Sequence, residues 1–444
     1  MNTQQTLRKT AHLIRNSATI RIISIGILVF VLLIPTSMIS SLLRERESRR
    51  DSVVQEINQK WGNSQTMTGP FFTVPYKSFY KGKNNQRQYT IKYFHILPEQ
   101  LDIKGNIAPH IRYRSIYEAV LYNCQLEVAG IFTVPRLSQL NIDAENILWE
   151  KSIFSIGISD LRGIKEHIQI RFGENSYGVN PGLKTTDIAS EGVSTLIPLS
   201  PSDSSKSFLF KLNLNGSEQI QFTPMAEETH VTIESSWTSP SFNGAFLPSE
   251  RKISQNGFTA TWKILHLNRN FPQYWEGNQY KVNTSCFGLT LLITADVYQK
   301  ATRLSKYALM FVVFTFSAFF FSEILNKNRV HPIQYLLIGL AVILFYVLQL
   351  SISEHLNFDY AYLISASAIT LLITGYSKGI LKNKYFTLTV FSLLTILYMY
   401  LYIVLQLEDY ALIMGSVGLL AVLSTVMFIT RKIDWYSLEH TEEK

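Results

Sequence analysis

Cysteine is scarce. The 444 residues hold two, Cys124 and Cys286. Two cysteines cannot build a four-thiolate zinc site, and no metal-site cysteine cluster exists. Catalytic signatures are missing as well. There is no GxxxxGK(S/T) phosphate loop, since Gly82 opens GKNNQ, and there is no HExxH and no GxSxG. His95, His110, His167, His230 and His266 are scattered without ligand spacing. Charged residues make up only 17% of the chain. The formal charge of +8 has no zinc-finger spacing or basic helix behind it, so nucleic acid is not an implied partner. No metal or cofactor is implied either. The shortage of charge is uneven, because the middle of the chain is polar and its end is nearly uncharged.

What is present is apolar length. Five runs follow one another over residues 304–322, 332–351, 360–376, 386–407 and 410–430, and a sixth stands alone at 22–43. About 18 or more mostly apolar residues suffice for a helix to cross a hydrocarbon core of about 30 Å. A helix also pairs every backbone polar group within itself, as lipid requires. The expected fold is a polytopic α-helical membrane protein with six transmembrane helices and a large β-rich extracytoplasmic domain inserted between helix 1 and helix 2. The expected boundaries are a cytoplasmic tail (1–21), helix 1 (22–43), a helical stalk (44–67), the β-rich domain (68–303), a five-helix bundle (304–430) and a second cytoplasmic tail (431–444).

Flanking charges orient this scheme. Arg8, Lys9, Arg15 and Arg21 precede the first run. Lys327 and Arg329, then Lys378, Lys382 and Lys384, occupy alternate short loops, and Arg431 and Lys432 follow the last run. The other loops carry acids, Glu354 with Asp359 and Glu408 with Asp409. The positive-inside rule places both termini in the cytoplasm. Arg44, Arg46, Arg49 and Arg50 lie on the opposite side, interleaved with Glu45, Glu47 and Asp51, so their net charge is small. The first run has the layout of a signal peptide, but it is long and no small-x-small site follows, so a retained anchor is expected. Pro35 lies inside it, where a proline removes a helix hydrogen bond.

The middle reads as strands. QYTIKYFHI, the stretch from Leu101 to Phe132, SFLFKLNLNG, THVTIESSW and GFTATWKIL mix alternation with β-branched and aromatic residues. An antiparallel, twisted arrangement is expected. Val179–Ser207 and Ser235–Ser254 are rich in Gly, Ser and Pro and read as loops. Trp61 is read either as an interfacial anchor or as a cap on the domain. Cys124 and Cys286 form a disulfide or stay buried and free; spacing alone leaves both open.

Few residues suggest chemistry. Glu354, His355 and Asp359 share one short extracytoplasmic loop. Such a group beside a bundle suits a proton relay, a ligand gate or part of a metal site; an exposed acidic loop is the plainer reading. Glu323 ends a helix on the cytoplasmic side. GISDLRGIKEH, from Gly157 to His167, gathers Ser159, Asp160, Arg162, Glu166 and His167. Ser, Asp and His in one stretch make no triad unless folding brings them together, and a turn in which Asp160 and Arg162 bond to nearby backbone is the simpler account. Gln334, Tyr346 and Gln349 are read as helix-packing groups, not as a transport route.

Several phrases carry a resemblance. EINQKWGNSQTMTGPFFTVPY, YRSIYEAVLYNCQLEVAGIF, FSIGISDLRGIKE, DVYQKATRLSKYALMFVVFTFSAFFFSE and HPIQYLLIGLAVILFYVLQLSISEHLNFDYAYL are similar to the CreD family of bacterial inner-membrane proteins. The similarity spans nearly the whole chain. It implies a Gram-negative inner-membrane protein linked to cell envelope integrity, associated with the CreBC two-component system and with colicin tolerance and β-lactam response. It assigns no catalytic residues. The leading expectation is a non-enzymatic protein that binds an envelope partner or lipid through its periplasmic domain. The alternative is a transporter or lipid-handling protein that uses its bundle. Expected partners are membrane lipids and a periplasmic or inner-membrane protein, with the oligomeric state open.

Overall fold

A computed structural model describes residues 18–81, 86–134, 142–201, 205–292, 297–326, 330–381, 383–407 and 410–431. Most of both tails, and Arg8, Lys9, Arg15, Lys327, Arg329, Lys382, Glu408, Asp409 and Lys432 with their expected roles in orientation, lie outside the described residues. The chain divides into two compact units, one helical and one β, with boundaries at Arg49/Arg50 and near residue 295.

The helical unit begins with α1 (Ala18–Trp61), a single helix of 44 residues whose last turns belong to the β unit. Its apolar part is mostly exposed, with Phe30, Ile34 and Met38 each more than 60% accessible. Only Leu32, Ile39 and Leu43 are buried, which forms one narrow seam. Gly339 is part of that seam. A Cβ there would stand 2.3 Å from Leu32 Cδ1, so the absence of a side chain lets the helices approach. The helices that follow the β unit are α2 (Val297–Lys306), α3 (Ala308–Asn326), α4 (Pro332–Ser353), α5 (Phe358–Leu381), α6 (Lys384–Gln406) and α7 (Ala411–Thr430). Helix α4 starts sharply. Pro332 occupies its first turn, His331 Nδ1 accepts from the Ile333 amide, and Gln334 Oε1 accepts from the His331 amide.

The count of six spans does not hold. Among the described residues, four helical stretches are long and apolar enough to cross: Ile22–Trp61, Pro332–Ser353, Phe358–Ile380 and Lys384–Gln406. A fifth arises only if α2 and α3, bent by 45° at Tyr307, count as one broken span. The described apolar part of α7, Ile413–Phe428, is shorter than the 18 residues a span requires. Counting apolar residues reveals neither a break in a helix nor how much of a run stays helical and apolar, and both decide length.

The β unit holds 17 strands among the described residues. One sheet runs β13 (Pro240–Gly244), β17 (Phe287–Leu291), β11 (Gln219–Thr223), β1 (Gln65–Lys81), β5 (Ile153–Ile158), β9 (Gly192–Leu196), β8 (Asn180–Pro181), with β2 (Arg87–Ile96) on β1 and β16 (Tyr274–Glu276) on β2. The other runs β14 (Glu250–Ser254), β15 (Gly257–Leu265), β12 (Glu228–Ser235), β3 (Gln100–Arg114), β4 (Tyr117–Phe132), β10 (Lys206–Ser217), β6 (Gln169–Phe172), β7 (Asn175–Gly178). Both sheets are mixed. The pairs β1–β11 and β3–β12 are parallel, against the expected antiparallel arrangement. Short strands also occur inside the two stretches read as loops.

Phenylalanines join the sheets. Phe72 and Phe154 of the first sheet meet Phe132, Phe172, Phe208 and Phe210 of the second, with ring centroids 4.8–6.4 Å apart and mostly edge-to-face. Cys124 and Cys286 are both buried free thiols, and burial pushes both upward in pKa.

Candidate functional site

The loop residues Glu354, His355 and Asp359 do not converge. Glu354 Oε1 accepts a hydrogen bond from Tyr298 Oη of α2 at 3.2 Å, and its Oε2 lies 3.6 Å from Arg46 Nη1 of α1. One carboxylate at the end of α4 therefore ties three helices together and offsets part of the arginine cluster. Asp359 turns to α6, where Gln406 Nε2 donates to its Oδ1 at 2.8 Å. His355 is exposed. Glu323 is buried in α3 and accepts from Tyr335 Oη of α4 at 3.1 Å.

Asp359 also opens a groove of about 600 Å³ between α5 and α6. Leu363, Ala366, Leu371, Phe391 and Met399 make it apolar, and Tyr360, Tyr362, Thr370, Thr395, Tyr398 and Tyr402 supply hydroxyls. From Asp359 to Leu371 it extends about 18 Å along α5, at about 1.5 Å per residue. Two of its lining tyrosines, Tyr362 and Tyr398, differ in how their hydroxyls are paired. The Tyr362 hydroxyl donates to the Tyr398 carbonyl at 2.7 Å. The Tyr398 hydroxyl, the Ser365 and Tyr346 hydroxyls and both ends of the fully buried Gln349 amide have no hydrogen-bond partner among the described residues. The Phe345 ring touches Tyr346, Tyr362 and Tyr398, with centroids 4.7–5.5 Å away, so three of these tyrosines surround one residue. Unpaired polar groups in such surroundings cost free energy, and of these Tyr398 belongs to the lining of the groove. Gln349 and Tyr346 are buried among the helices, where packing groups are expected. Nothing in the sequence pattern distinguishes them from other polar residues of apolar helices.

Ser159, Asp160 and Arg162 do come together, around the end of α1. The Arg162 Nε and Nη2 both donate to Asp160 at 2.9 Å, and its Nη1 donates to the Gln59 carbonyl at 2.8 Å. Asp160 Oδ2 accepts from the Asn63 amide at 2.9 Å. Ser159 Oγ accepts from the Thr66 amide at 2.8 Å and donates to the Ser64 carbonyl. Partial burial works against the Asp160 charge, but the Arg162 and Asn63 hydrogen bonds outweigh it and hold the carboxyl below its usual range. Gly62 turns the chain at φ +143, and a Cβ at Gly163 would stand 2.3 Å from the Asn215 carbonyl oxygen. Trp61 caps the unit, as its indole donates to the Tyr122 carbonyl at 3.2 Å and its ring meets His110 edge-on. His167 is exposed and takes no part in the cluster. This is a clasp that fixes the end of α1 onto β1 and β10, with no nucleophile–base pair in it.

A second polar row was invisible in sequence. Thr73 Oγ1 lies 3.1 Å from His95 Nδ1, and His95 Nε2 lies 3.1 Å from Asp187 Oδ2. Thr73 and His95 are at most 1% exposed, and Phe71 and Trp275 face the imidazole. A row closed in this way holds the Asp187 loop to the sheet. Burial pushes the His95 pKa down, opposed by Asp187. The partners are 92 residues apart in sequence, so no local motif announces them.

A model of the family described as "Inner membrane protein CreD" matches residues 17–436. The chain belongs to the CreD family. The Inner membrane protein CreD of Escherichia coli (strain K12) is 33% identical over 419 residues, covering 92% of each chain. As a CreD-family member the chain is a multi-pass inner-membrane protein linked to cell envelope integrity, and its large β unit is extracytoplasmic.

Proposed function

We propose that this CreD-family protein serves envelope integrity without catalysis, by holding a membrane lipid in the groove between α5 and α6. The observation that carries the reading is the groove itself. Its 600 Å³ falls within the range of about 300–1,000 Å³ common for small-molecule sites. An acyl chain matches the apolar length. A polar head matches the Asp359 end, where Tyr360, Tyr402 and Gln406 also lie. The β unit then offers the surface for an envelope partner.

The proposal keeps the N-terminal tail in the cytoplasm, with four basic residues before the apolar part of α1. Glu354 then lies at the extracytoplasmic end, because its partner Arg46 follows that apolar part. Arg431 and Lys432 argue for a cytoplasmic C-terminus by the same rule.

Native mass spectrometry of the full chain in lipid-bearing particles tests the reading. The protein should retain one lipid class. Ala366→Trp, which fills the groove, should release it; because Ala366 is only 8% exposed, the larger ring costs about 1–3 kcal/mol, and a cooperative melt shows that the variant is still folded. Equal lipid retention by the filled variant sinks the proposal.

A further inference from the structure

The β1–β2 hairpin outgrows its sheet. β5 pairs with β1 only as far as Thr73, an isolated bridge to Ile147 follows at Tyr76, and β16 pairs with β2 only over Phe94–Ile96. Beyond these points, among the described residues, the two strands pair only with each other, from Lys77–Ile91 to Lys81–Arg87. A free two-stranded ribbon is marginal in water. This one nevertheless displays an ordered face. Side chains alternate along a strand, so the directly paired Lys77 and Ile91, Phe79 and Tyr89, and Lys81 and Arg87 project from one side. Three cations and three apolar groups are thus interleaved. Phe79, Tyr89 and Ile91 are 38%, 55% and 40% exposed. The Arg87 guanidinium lies 4.0 Å from the Phe79 ring centre, and Lys77 Nζ lies 5.4 Å from that of Tyr89.

The charge is one-sided. No acidic residue occurs between Lys77 and Tyr93. Lys92, on the opposite face, is paired with Glu276 at 2.7 Å, whereas Lys77, Lys81 and Arg87 have no ion-pair partner among the described residues. The other long hairpin, β3–β4, differs: it carries Glu118 near its turn, and its Arg114 is paired with Glu56.

We propose that this face of the hairpin docks on an anionic phospholipid surface. Aromatic rings favour the boundary between headgroup and hydrocarbon, and flanking lysine and arginine reach the phosphates. The face has no amide or carboxylate to meet the hydroxyls of a glycan. A β unit carried by a membrane-spanning chain also meets bilayer at high effective concentration.

The test uses the full chain in vesicles, labelled with an environment-sensitive dye at Thr90→Cys on the opposite face of the ribbon. Cys124 and Cys286 are buried and escape labelling. Vesicles of phosphatidylcholine alone are compared with vesicles containing phosphatidylglycerol, each with a headgroup-depth quencher. Quenching should appear in the anionic vesicles and fall as salt rises. The triple variant Lys77→Glu, Lys81→Glu, Arg87→Glu should lose it, with quenching reduced on the order of tenfold or more. The control Lys104→Glu, Lys184→Glu, Lys252→Glu, equal in charge but elsewhere on the unit, should keep it. An unchanged melting curve shows that the triple variant is folded. Equal quenching in neutral vesicles, quenching that survives the triple change, or protection of the dye only by peptidoglycan fragments overturns the proposal. Ala366→Trp leaves this readout untouched, so failure here is separable from failure of the groove reading.

Discussion

The β unit and the helical unit solve the same problem of buried surface in opposite ways. In the β unit, apolar side chains face inward. Phe72, Phe154 and Phe210 are at most 1% exposed, and the clasp at Asp160 meets nearly every polar atom it buries. In the helical unit, apolar side chains face outward along much of α1, α5, α6 and α7, while polar groups of Gln349, Tyr346, Ser365 and Tyr398 are turned inward without partners among the described residues. Water drives the first arrangement through the hydrophobic effect. Lipid removes that drive between helices, so packing there rests on close approach, as at Gly339, and on a few polar ties such as Glu354. The difference shows where binding capacity lies. The β core is filled, and the helical unit keeps a groove.

This contrast can be broken most forcefully in the β core. Phe154→Ala should cost about 3–5 kcal/mol, enough to unfold much of the β unit, because the ring touches Phe72, Phe132, Phe172, Phe208 and Phe210. Calorimetry should show the transition of the β unit lowered or lost. A loss below 1 kcal/mol would mean that the two sheets are not joined through this cluster.

Next in size is Asp160→Ala. It strands the Arg162 guanidinium and the Asn63 amide, for a loss of about 1–3 kcal/mol in denaturant melts. Ser159→Ala should cost less, since its backbone partners can turn to water. Equal losses would argue against Asp160 as the centre of the clasp.

Acid should separate the units further. The His95 pKa is depressed in the folded state, so the unfolded chain binds the extra proton first. Stability from this group is complete above the ordinary histidine value of about 6.5 and declines as pH falls below it. Melts from pH 7.5 to 5 should show this slope, and His95→Gln should flatten it. A slope that persists unchanged in the variant assigns it elsewhere.

The smallest effect belongs to the helical unit. Glu354→Gln removes the attraction to Arg46 but keeps an acceptor for Tyr298, and the pair is partly exposed, so about 0–1 kcal/mol is expected. A double-mutant cycle with Arg46→Gln measures the coupling. A coupling well above 1 kcal/mol would make Glu354 a principal tie and narrow the contrast between the units.

Much of this architecture was legible beforehand, for identifiable reasons. Strand alternation at LDIKGNI and THVTIES is a local property, and so is apolar length at Pro332–Ser353, so both survived folding. The turn reading of Asp160 and Arg162 also rested on neighbours in sequence. Spans failed where length depends on a helix being unbroken. The 45° bend at Tyr307 divides one apolar run into two helices, and no proline or glycine marks the place. The Glu354, His355 and Asp359 group misled because adjacency in a turn does not give a common direction: Glu354 turns to α1 and α2, Asp359 turns to α6, and His355 is exposed.

By itself, then, the sequence determined the alternation of polar and apolar territory, the presence of a β unit between helical stretches, the basic ends and the family, because composition and periodicity act over short distances. Tertiary structure alone decided which polar groups meet. Arg46 reaches Glu354, His95 reaches Asp187, β1 runs parallel to β11, and Tyr362 and Tyr398 wall a groove. Each of these contacts joins residues far apart in the chain. Its energy depends on backbone geometry that no local pattern encodes, and that is why the candidate site became visible only in the fold.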